Sequence, residues 1–595
     1  MSFHDSDPGE LKRMRIEAFK RRRLGIFFHW GFYSMLGGRW KGVEMDYIGE
    51  WAQSYFRIPN AEYAELAARF NPVGFDAEEW IRRIADMGAK YIVFTTKHHD
   101  GFAMYHSRVD SFNIVDATPS GRDPLRELAD ACGRHGVALG IYYSQNLDWH
   151  HPDGRDPGPD QPKNLFGMSW GNDWDYPDYG RKDFQRYFRQ KCLPQVRELL
   201  TGYGPVCEFW CDCGFNMSED ESRELSDMIH GLQPGCVINS RISPDSRFRD
   251  FASLGDNQDM HGRSSDPVES PITLNDTWGF KHSDQNWKSP RLIAERMAAL
   301  ADRDANLLLN IGPDGMGRFP DGTVKVLDEL ARWHRRHPGA IAGTTPNPFP
   351  QDFAWGSCTQ SGKRLNFFIR EPRESIVIHG LKGRIAAASC PCEEAPGALV
   401  LHPEYDVGEL LPVVTVDFVD TPAVDQNIFL DGDGTELAPC FGRANIGDEP
   451  MAIPGTAQLD AAAELVRREQ HLHIGADGSA LDWHNPSDSI TWSIRVTEPG
   501  SYQVSLVTFQ SGHSMPWVGK RTVEVFCGAQ TIRAKLEATE PVRSYCYAAA
   551  RSEIGVLVFP KPGVYEVGCR TTAIEPDPLA FAMCMQKLTL ARSSQ

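Results

Sequence analysis

The chain has 595 residues, which suffices for about two to four domains at roughly 100 to 200 residues each. Its 62 Lys and Arg residues against 80 Asp and Glu residues give a net charge of −18, which argues against nucleic acid or an anionic membrane as the main partner. Hydrophobic residues at 41% and charged residues at 24% exclude a mainly disordered chain.

The amino-terminal segment does not match a signal peptide. A basic run from Lys12 to Arg23 is followed by only five apolar residues before His29, too few for the core of a signal peptide. No stretch reaches the roughly 18 apolar residues that span a bilayer. The 14 Cys have no framework spacing and are interpreted as mostly buried thiols. We therefore expect a cytoplasmic location, with the basic run on a solvated helix face.

Strand-like and helix-like patterns alternate between residues 20 and 345. In chain order they are LGIFFHWG, a helix near Ala77 to Gly88, YIVFTTKHHDGF, a helix over Leu125 to His135, VALGIYYSQ, PVCEFWCDCG, a helix over Asp220 to Leu232, CVINSR, NDTWGF, a helix over Pro290 to Asp302, ANLLLNIGP, and a helix over Val324 to His334. This alternation predicts parallel strands with crossover helices. The strands are apolar on both faces, which favours a (β/α)8-like TIM barrel over residues 1–345 rather than an open doubly wound sheet.

The pattern changes near Pro346, where short strands with turn residues replace the alternation. Residues 346–447 are predicted to form a small antiparallel β-domain. After the linker-like segment 447–457, residues 458–595 contain regularly spaced strands that indicate a β-sandwich.

Two adjacent histidines follow the apolar strand YIVFTTK, in the order His98-His99-Asp100-Gly101-Phe102. The carboxyl end of a barrel strand is the usual place for ligand-binding residues. Because consecutive strand residues face opposite sides, one imidazole is expected to face a ligand and the other the wall. Alternatively, both histidines are structural and only form hydrogen bonds at the end of the strand. A metal site is less favoured, since the sequence has neither a His-Glu-x-x-His nor a Cys-x-x-Cys motif.

The segment from Glu208 to Gly214 ends in an acid. A period of two places Glu208, Trp210 and Asp212 on one face, with Asp212 pointing at the barrel axis. A carboxylate among apolar neighbours is costly without partners, so this position suggests function. Cys211 and Cys213 fall on the other face, and both are expected to pack against helices.

Two further polar groups are candidates for the same site. Arg241 ends the next strand and could hold a carboxylate or a hydroxyl-rich ligand through forked hydrogen bonds, or form a structural ion pair. Glu269 is interpreted as a movable loop acid near solvent, followed by a strand that carries Trp278.

Eight motifs occur together in order. They are Phe28-His29-Trp30-Gly31, Gly49-Glu50-Trp51, His98 to Phe102, Tyr142-Tyr143-Ser144, Trp210-x-Asp212, Asn239 to Arg241, Trp278-Gly279-Phe280 and Asn306 to Pro313. With these motifs, the sequence over about residues 20–345 resembles the glycoside hydrolase family that contains the α-L-fucosidases, family 29. Cys211 and Cys213 stand where Phe and Gly are frequent in that family.

The resemblance implies an exo-acting, retaining α-L-fucosidase that acts on a fucosylated oligosaccharide or glycoconjugate and needs no metal or organic cofactor. It implies Asp212 as the nucleophile and Glu269 as the acid/base. If a test moves the acid away from Glu269, the candidates are Asp256, Asp259 and Asp266. The pocket is implied to be lined by His29, Glu50, Trp51, His98, His99, Tyr143, Trp210 and Arg241.

Three other readings remain open at this point. They are hydrolysis of a related substrate such as an α-L-galactoside, a catalytically silent sugar-binding protein, and a metal-dependent hydrolase built on His98 and His99. A homo-oligomer is also possible. In the sandwich, the aromatic residues Trp483, Trp492, Tyr502 and Trp517 form either a carbohydrate-binding platform or part of the core.

Overall fold

A computed structural model describes residues 8–156, 167–406, 408–446, 472–483, 485–509, 516–542, 548–574 and 583–593. The chain divides into two compact units. The first comprises Met1–Ser253, Pro267–Met297 and Ala305–Gly343, and the second comprises Leu254–Asp266, Ala298–Asp304 and Thr344–Gln595. Among the described residues, no helix combines the length and apolar character that a membrane span requires.

The first unit contains an eight-stranded parallel sheet. Its strands are β1 (Leu24–Phe28), β2 (Tyr91–Lys97), β3 (Ala138–Tyr143), β4 (Val206–Cys211), β5 (Val237–Ile238), β6 (Ala252–Ser253), β7 (Val268–Thr273) and β8 (Ala305–Ile311). Neighbouring strands follow the order β5-β4-β3-β2-β1-β8-β7-β6, and every pair is parallel. An isolated parallel bridge between Asn239 and Phe251 joins the two ends of this row. This arrangement is typical of a TIM-like domain.

Helices alternate with these strands. The longer ones are α1 (Pro8–Arg22), α2 (Ala77–Asp86), α3 (Pro124–His135), α4 (Leu193–Gly202), α5 (Glu219–Leu232), α6 (Pro290–Asp302) and α7 (Asp321–Arg336). Local sequence sets their ends. Asp123 caps α3 by accepting the backbone N–H of Arg126, and Gly136 ends that helix with a φ of +65°. Ser218 and Glu221 form a capping box at the start of α5. The five predicted helices are confirmed to within three residues at each end, whereas α4 was not predicted.

Alternation along the strands sorts side chains between the sheet interior and the helices. Every residue of β1, β2 and β8 is buried. One buried cluster joins Phe27, Tyr91, Tyr142, Trp210 and Leu308, each from a different strand. Because side chains from five strands meet there, this cluster marks the inner face of the sheet.

One predicted strand was misplaced. The strand expected around Trp278 is instead β7, whose six residues are all buried, and the segment after Leu274 has no regular structure. Ser270 and Pro271 interrupt the apolar pattern of β7, which is why the sequence there resembled a loop. Strand β6 was missed because it has only two residues.

The second unit is built from antiparallel strands with two hydrophobic cores. The first core draws on residues 349–418 and the second on residues 428–590. The strands of the first are Thr345–Pro346, Gly356–Ser361, Arg364–Ile369, Ile376–His379, Leu381–Lys382, Ile385–Ala388, Cys392–Ala395, Ala398–Leu401, Val413–Phe418 and Ala423–Val424. Those of the second are Ile428–Leu430, Thr435–Leu437, Arg443–Asn445, His473–Ile474, Ala480–Trp483, Ser489–Val496, Gly500–Phe509, Arg521–Cys527, Gln530–Lys535, Glu540–Val542, Ala549–Phe559, Gly563–Ile574 and Met583–Arg592.

The predicted domain boundary at residue 447 differs from the structure. Strand Ile428–Leu430 pairs with Ser489–Val496, and strand Thr435–Leu437 pairs with Met583–Arg592. The chain therefore enters the second core about 20 residues before the turn-rich segment that suggested a boundary. The predicted linker at 447–457 and the predicted domain start at 458 lie outside the described residues.

The sandwich aromatics do not form a binding platform. Trp483, Trp492 and Tyr502 are buried in the second core, and Trp517 packs against it. The indole N–H groups of Trp483 and Trp492 donate to the carbonyl oxygens of Asp488 and Ala438. Of the two alternatives left open by the sequence, the structure supports the core, and the role of these residues is packing.

Candidate active site

Asp212 lies at the carboxyl end of β4 and points to the inner face of the parallel sheet, on the side that alternation predicted. The side chain of the preceding inward residue, Trp210, belongs to the interior cluster. The Tyr142 hydroxyl donates to Asp212 Oδ2 at 2.8 Å, and Arg241 Nη1 donates to Oδ1 at 3.2 Å. The residue is only 9% exposed, so the carboxylate is buried with both oxygens hydrogen-bonded.

These partners keep Asp212 ionised. Burial by itself raises the pKa of a carboxyl group, because the charged form loses water. The Arg241 guanidinium and the Tyr142 hydroxyl outweigh burial and bring the pKa of Asp212 below its usual value of 3.8. The result is an anionic carboxylate at neutral pH, which is the form that can act as a nucleophile.

Two amide side chains fix the backbone at the end of β4. Gln145 Oε1 accepts the Asp212 N–H at 2.8 Å. Asn239 accepts the Cys211 N–H and donates to the Cys211 carbonyl oxygen, both at 2.9 Å. This bonding holds the Asp212 carboxylate in place. Sequence reasoning missed the positioning role of both amides, although each is a polar residue just after an apolar strand.

Three histidines surround the carboxylate. His29 Nδ1 lies 2.7 Å from Asn310 Oδ1, and the His98 ring stacks on Tyr142 with centroids 5.5 Å apart. His99 Nε2 lies 3.6 Å from Asp212 Oδ2. Burial lowers the pKa of His29 to about 3 and that of His99 to about 4, so both rings are neutral at pH 7.

The prediction that His98 and His99 face opposite sides was wrong. Strand β2 ends at Lys97, so strict alternation does not extend to the next two residues. Their ring centroids are 4.1 Å apart, and both rings lie on the side of Asp212.

Tyr143 lies outside the site. Its hydroxyl donates to Gln195 of helix α4 at 2.8 Å, so the side chain faces the helix layer. The preceding residue, Tyr142, faces inward and contacts Asp212 instead. Sequence reasoning could have found Tyr142, because it pairs in register with Trp210, another inward residue.

The two cysteines flanking Asp212 face different ways. Cys211 is fully buried near Cys192, which agrees with the expected packing against helices. Cys213 has a φ of +56°, and its Sγ atom lies 3.8 Å from His99 Nε2. The left-handed backbone turns this thiol towards the site, so the prediction for Cys213 was wrong.

Glu50 and Trp51 form another wall. Glu50 Oε2 accepts the Gly279 N–H at 2.8 Å and so fixes the segment that carries Trp278. The Trp51 ring makes an edge contact with His99 at 5.4 Å between centroids. It also contacts Trp149 at 5.1 Å, which extends an aromatic surface away from the histidines.

Glu269 is neither movable nor near solvent, contrary to expectation. It is the second residue of β7 and has no exposed surface. Its two oxygens accept from the Tyr91 hydroxyl at 2.6 Å and from Trp210 Nε1 at 3.0 Å. Burial raises its pKa to about 7, and Glu208, whose pKa is also raised by burial, lies beside it.

Glu269 and Asp212 occupy different levels of the interior. Tyr91 is the first residue of β2, so its partner Glu269 lies near the amino ends of the strands. Glu208 precedes Asp212 by four residues on β4, or about 13 Å at roughly 3.3 Å per residue. The Trp210 ring lies between the two levels. Because a retaining acid/base stands about 5 to 5.5 Å from the nucleophile, the structure contradicts this role for Glu269.

Comparison with known proteins gives a consistent picture. The alpha-L-fucosidase family model matches residues 5–338. A putative alpha-L-fucosidase of Caenorhabditis elegans is 30% identical over 345 residues, which cover 54% of this chain and 66% of that protein. Alpha-L-fucosidase 1 of Arabidopsis thaliana is 25% identical over 292 residues, covering 44% of this chain and 52% of that protein. The chain thus spans about half to two thirds of these relatives.

Solved structures extend the similarity. The alpha-L-fucosidase of Vibrio sp. strain EJY3 has a TM-score of 0.79 and 27% identity, with 98% of this chain and 99% of that chain covered. An alpha-L-fucosidase of Lactobacillus casei in complex with its alpha-L-fucose product is 42% identical, with a TM-score of 0.51. The match covers 54% of this chain and 98% of that one.

Proposed function

The chain belongs to the α-L-fucosidase family, and from this premise we propose that it is an exo-acting, retaining hydrolase of terminal α-L-fucosyl residues. The observation that carries the proposal is the buried, ionised Asp212 among neutral histidines and aromatic rings. Its substrate is a fucosylated oligosaccharide or glycoconjugate. We further interpret the parallel sheet as a closed (β/α)8 barrel, which the bridge between Asn239 and Phe251 supports.

Asp212 is proposed as the nucleophile. In a retaining mechanism its carboxylate attacks the anomeric carbon while an acid protonates the leaving oxygen, and water then hydrolyses the glycosyl-enzyme. Arg241 and Tyr142 keep the carboxylate anionic and oriented before attack. Gln145 and Asn239 hold its backbone in place. The carboxylate is therefore oriented before the reaction, which lowers the entropy cost of reaching the transition state.

The surrounding side chains suit a neutral deoxy-sugar. The neutral imidazoles of His29 and His99 use Nδ1 within the protein, which leaves Nε2 of each ring to accept a hydrogen bond from a sugar hydroxyl. His98 offers a third imidazole on the same side of the sheet. Trp51 can contact the sugar's C–H groups and methyl group, whereas the Trp210 ring is buried under Arg241 and supports the site from below. Glu50 acts mainly by fixing the segment around Gly279.

We propose that a carboxyl group other than Glu269 supplies the acid/base. By their position in the sequence, shortly after β6, the candidates are Asp256, Asp259 and Asp266. A loop carboxyl group can deliver a proton to the leaving oxygen and later accept one from water.

Replacement of Asp212 by asparagine tests the nucleophile. Asp212→Asn keeps the size of the side chain and should abolish turnover of 4-nitrophenyl α-L-fucoside while fucose binding and the melting temperature persist. Turnover at the rate of the unmodified protein would refute the assignment. Equal activity of the unmodified protein on 4-nitrophenyl α-L-galactoside would indicate that a related α-L-glycoside is also a substrate.

Three single variants identify the acid/base. Among Asp256→Asn, Asp259→Asn and Asp266→Asn, one should slow a natural fucosyl oligosaccharide far more than an activated aryl fucoside, because only the poor leaving group needs protonation. Azide should partly rescue that variant alone. If all three behave like the unmodified protein on both substrates, the acid lies elsewhere.

A further inference from the structure

Three potential metal-ligand atoms converge at the mouth of the parallel sheet. His99 Nε2 lies 3.6 Å from Asp212 Oδ2 and 3.8 Å from Cys213 Sγ, and the three atoms lie within 4.8 Å of one another. Within the part of the chain that the structure describes, His99, Asp212 and Cys213 form the group of side chains close enough to share one metal ion. All three residues follow the carboxyl end of a strand, which is β2 for His99 and β4 for Asp212 and Cys213.

The hydrogen bonds of His99 aim a lone pair at this point. The Ser144 hydroxyl donates to the Leu147 carbonyl oxygen at 2.9 Å, so Ser144 Oγ is left to accept from His99 Nδ1 at 2.7 Å. With its proton on Nδ1, the neutral ring presents an unprotonated Nε2 towards Asp212 and Cys213. Such an orienting bond on the second ring nitrogen is typical of metal-binding histidines.

The spacing fits a tetrahedral cation. Zinc bond lengths of about 2.0 to 2.3 Å to nitrogen, oxygen and sulfur place neighbouring ligand atoms about 3.3 to 3.6 Å apart. The distances from His99 Nε2 to Asp212 Oδ2 and to Cys213 Sγ, 3.6 and 3.8 Å, are within a few tenths of an ångström of this range. Asp212 Oδ2 retains acceptor capacity beside its bond from Tyr142, because each carboxylate oxygen has two lone pairs.

We propose that His99, Asp212 and Cys213 form an inhibitory site for a thiophilic divalent cation such as Zn²⁺. Binding forms bonds from Nε2, Oδ2 and Sγ to the cation and releases the thiol proton to solvent. The cation occupies the carboxylate that would attack the sugar, so binding of metal and binding of substrate exclude each other. Arg241, bonded to Asp212 Oδ1, repels a dication, which weakens binding of the cation.

The ligand types also predict which ions bind. A thiolate and an imidazole favour Zn²⁺ and Co²⁺ and discriminate against Mg²⁺ and Ca²⁺, which prefer oxygen ligands. The inhibition therefore goes beyond the proposed hydrolysis and depends on Cys213, a residue with no step in that mechanism.

Cobalt titration tests the site without relying on catalysis. The full chain, without a histidine tag and freed of metal by chelation, is titrated with Co²⁺, and thiolate-to-cobalt absorption in the near ultraviolet should saturate at one ion per chain. Zn²⁺ should remove this absorption, as should fucose if the sugar occupies the same place. Failure of the band to appear would overturn the proposal.

Two cysteine variants locate the ligand. Cys213→Gly removes the thiol at a left-handed position that glycine tolerates, so it is expected to fold. It should lose the cobalt band and raise the Zn²⁺ concentration for half-inhibition of fucoside hydrolysis by at least about tenfold. Cys211→Ala, the matched control, should keep both the band and the sensitivity to Zn²⁺.

The outcomes separate the metal site from the proposed hydrolysis. Equal Zn²⁺ sensitivity in Cys213→Gly and the unmodified protein, or equal inhibition by Mg²⁺, would refute the site. A cobalt band that depends on Cys213 in a protein without fucosidase activity would confirm the metal site and refute the proposed function instead.

Discussion

Replacing Glu269 by glutamine should stabilise the protein at alkaline pH and leave catalysis nearly intact. Glu269 is fully buried against Tyr91, Trp210 and Glu208, and its pKa is raised from 4.5 to about 7. Ionising it in the folded protein therefore costs about 3 kcal/mol more than in the unfolded chain, at about 1.4 kcal/mol per pH unit. Glutamine has similar shape and no charge to bury.

The sign of the pH dependence follows from linkage. Between about pH 4.5 and pH 7 the folded protein retains a proton that the unfolded chain has lost. Stability of the unmodified protein thus falls as pH rises through this window, and the full penalty applies above pH 7. Glu269→Gln has no such loss. Its free energy of unfolding, relative to the unmodified protein, should gain almost nothing at pH 5 and about 3 kcal/mol at pH 8. Rearranged hydrogen bonds subtract about 1 kcal/mol from this gain.

Thermal unfolding at pH 5 and pH 8 measures this effect. The melting temperature of Glu269→Gln relative to the unmodified protein should rise by several degrees between the two pH values. The exposed Glu65→Gln serves as the matched control and should show no such rise. A difference that is the same at both pH values would refute the buried-acid reasoning. Selective loss of activity on poor leaving groups, with azide rescue, would restore Glu269 as the acid/base.

Two other predictions address the site and the sandwich. Tyr142→Phe removes the hydroxyl that donates to Asp212 and should lower kcat/KM about 10- to 100-fold, the equivalent of a hydrogen bond to a charged group. Tyr143→Phe, which loses only a bond to Gln195, should keep the rate, and equal losses would contradict the inward position of Tyr142. Trp483→Ala should destabilise the sandwich by about 3 to 5 kcal/mol, measured by denaturant unfolding, with fucoside KM unchanged. A raised KM with unchanged stability would instead indicate a sugar-binding role.

Much of the parallel sheet could be predicted because its strands are long and apolar on both faces. β1, β2, β4 and β8 all satisfy this pattern and were predicted in place. β6 has two residues, and β7 contains Pro271, so neither produces the pattern. Because β7 was not recognised as a strand, Glu269 was predicted to lie on a loop instead of in the interior of the sheet.

Prediction of the site was accurate where alternation holds and inaccurate where it ends. Trp210 and Asp212 share a face, as their spacing requires. His98 follows the last residue of its strand, and Cys213 adopts a left-handed conformation, so neither orientation follows from a period of two. Hydrogen bonds such as those of Asn239 to Cys211 join separate strands and leave no local signal in the sequence.

The indole of Trp210 has a consequence for engineering this protein. Its N–H binds Glu269 on one side, while the Arg241 guanidinium lies over its face, 4.7 Å from the ring centroid, and reaches Asp212. We therefore expect Glu269, beneath the ring, to affect stability at high pH, and Asp212, above the ring, to serve the proposed reaction. Substitutions beneath the ring that improve stability at high pH should leave the hydrogen bonds of Asp212 above it intact.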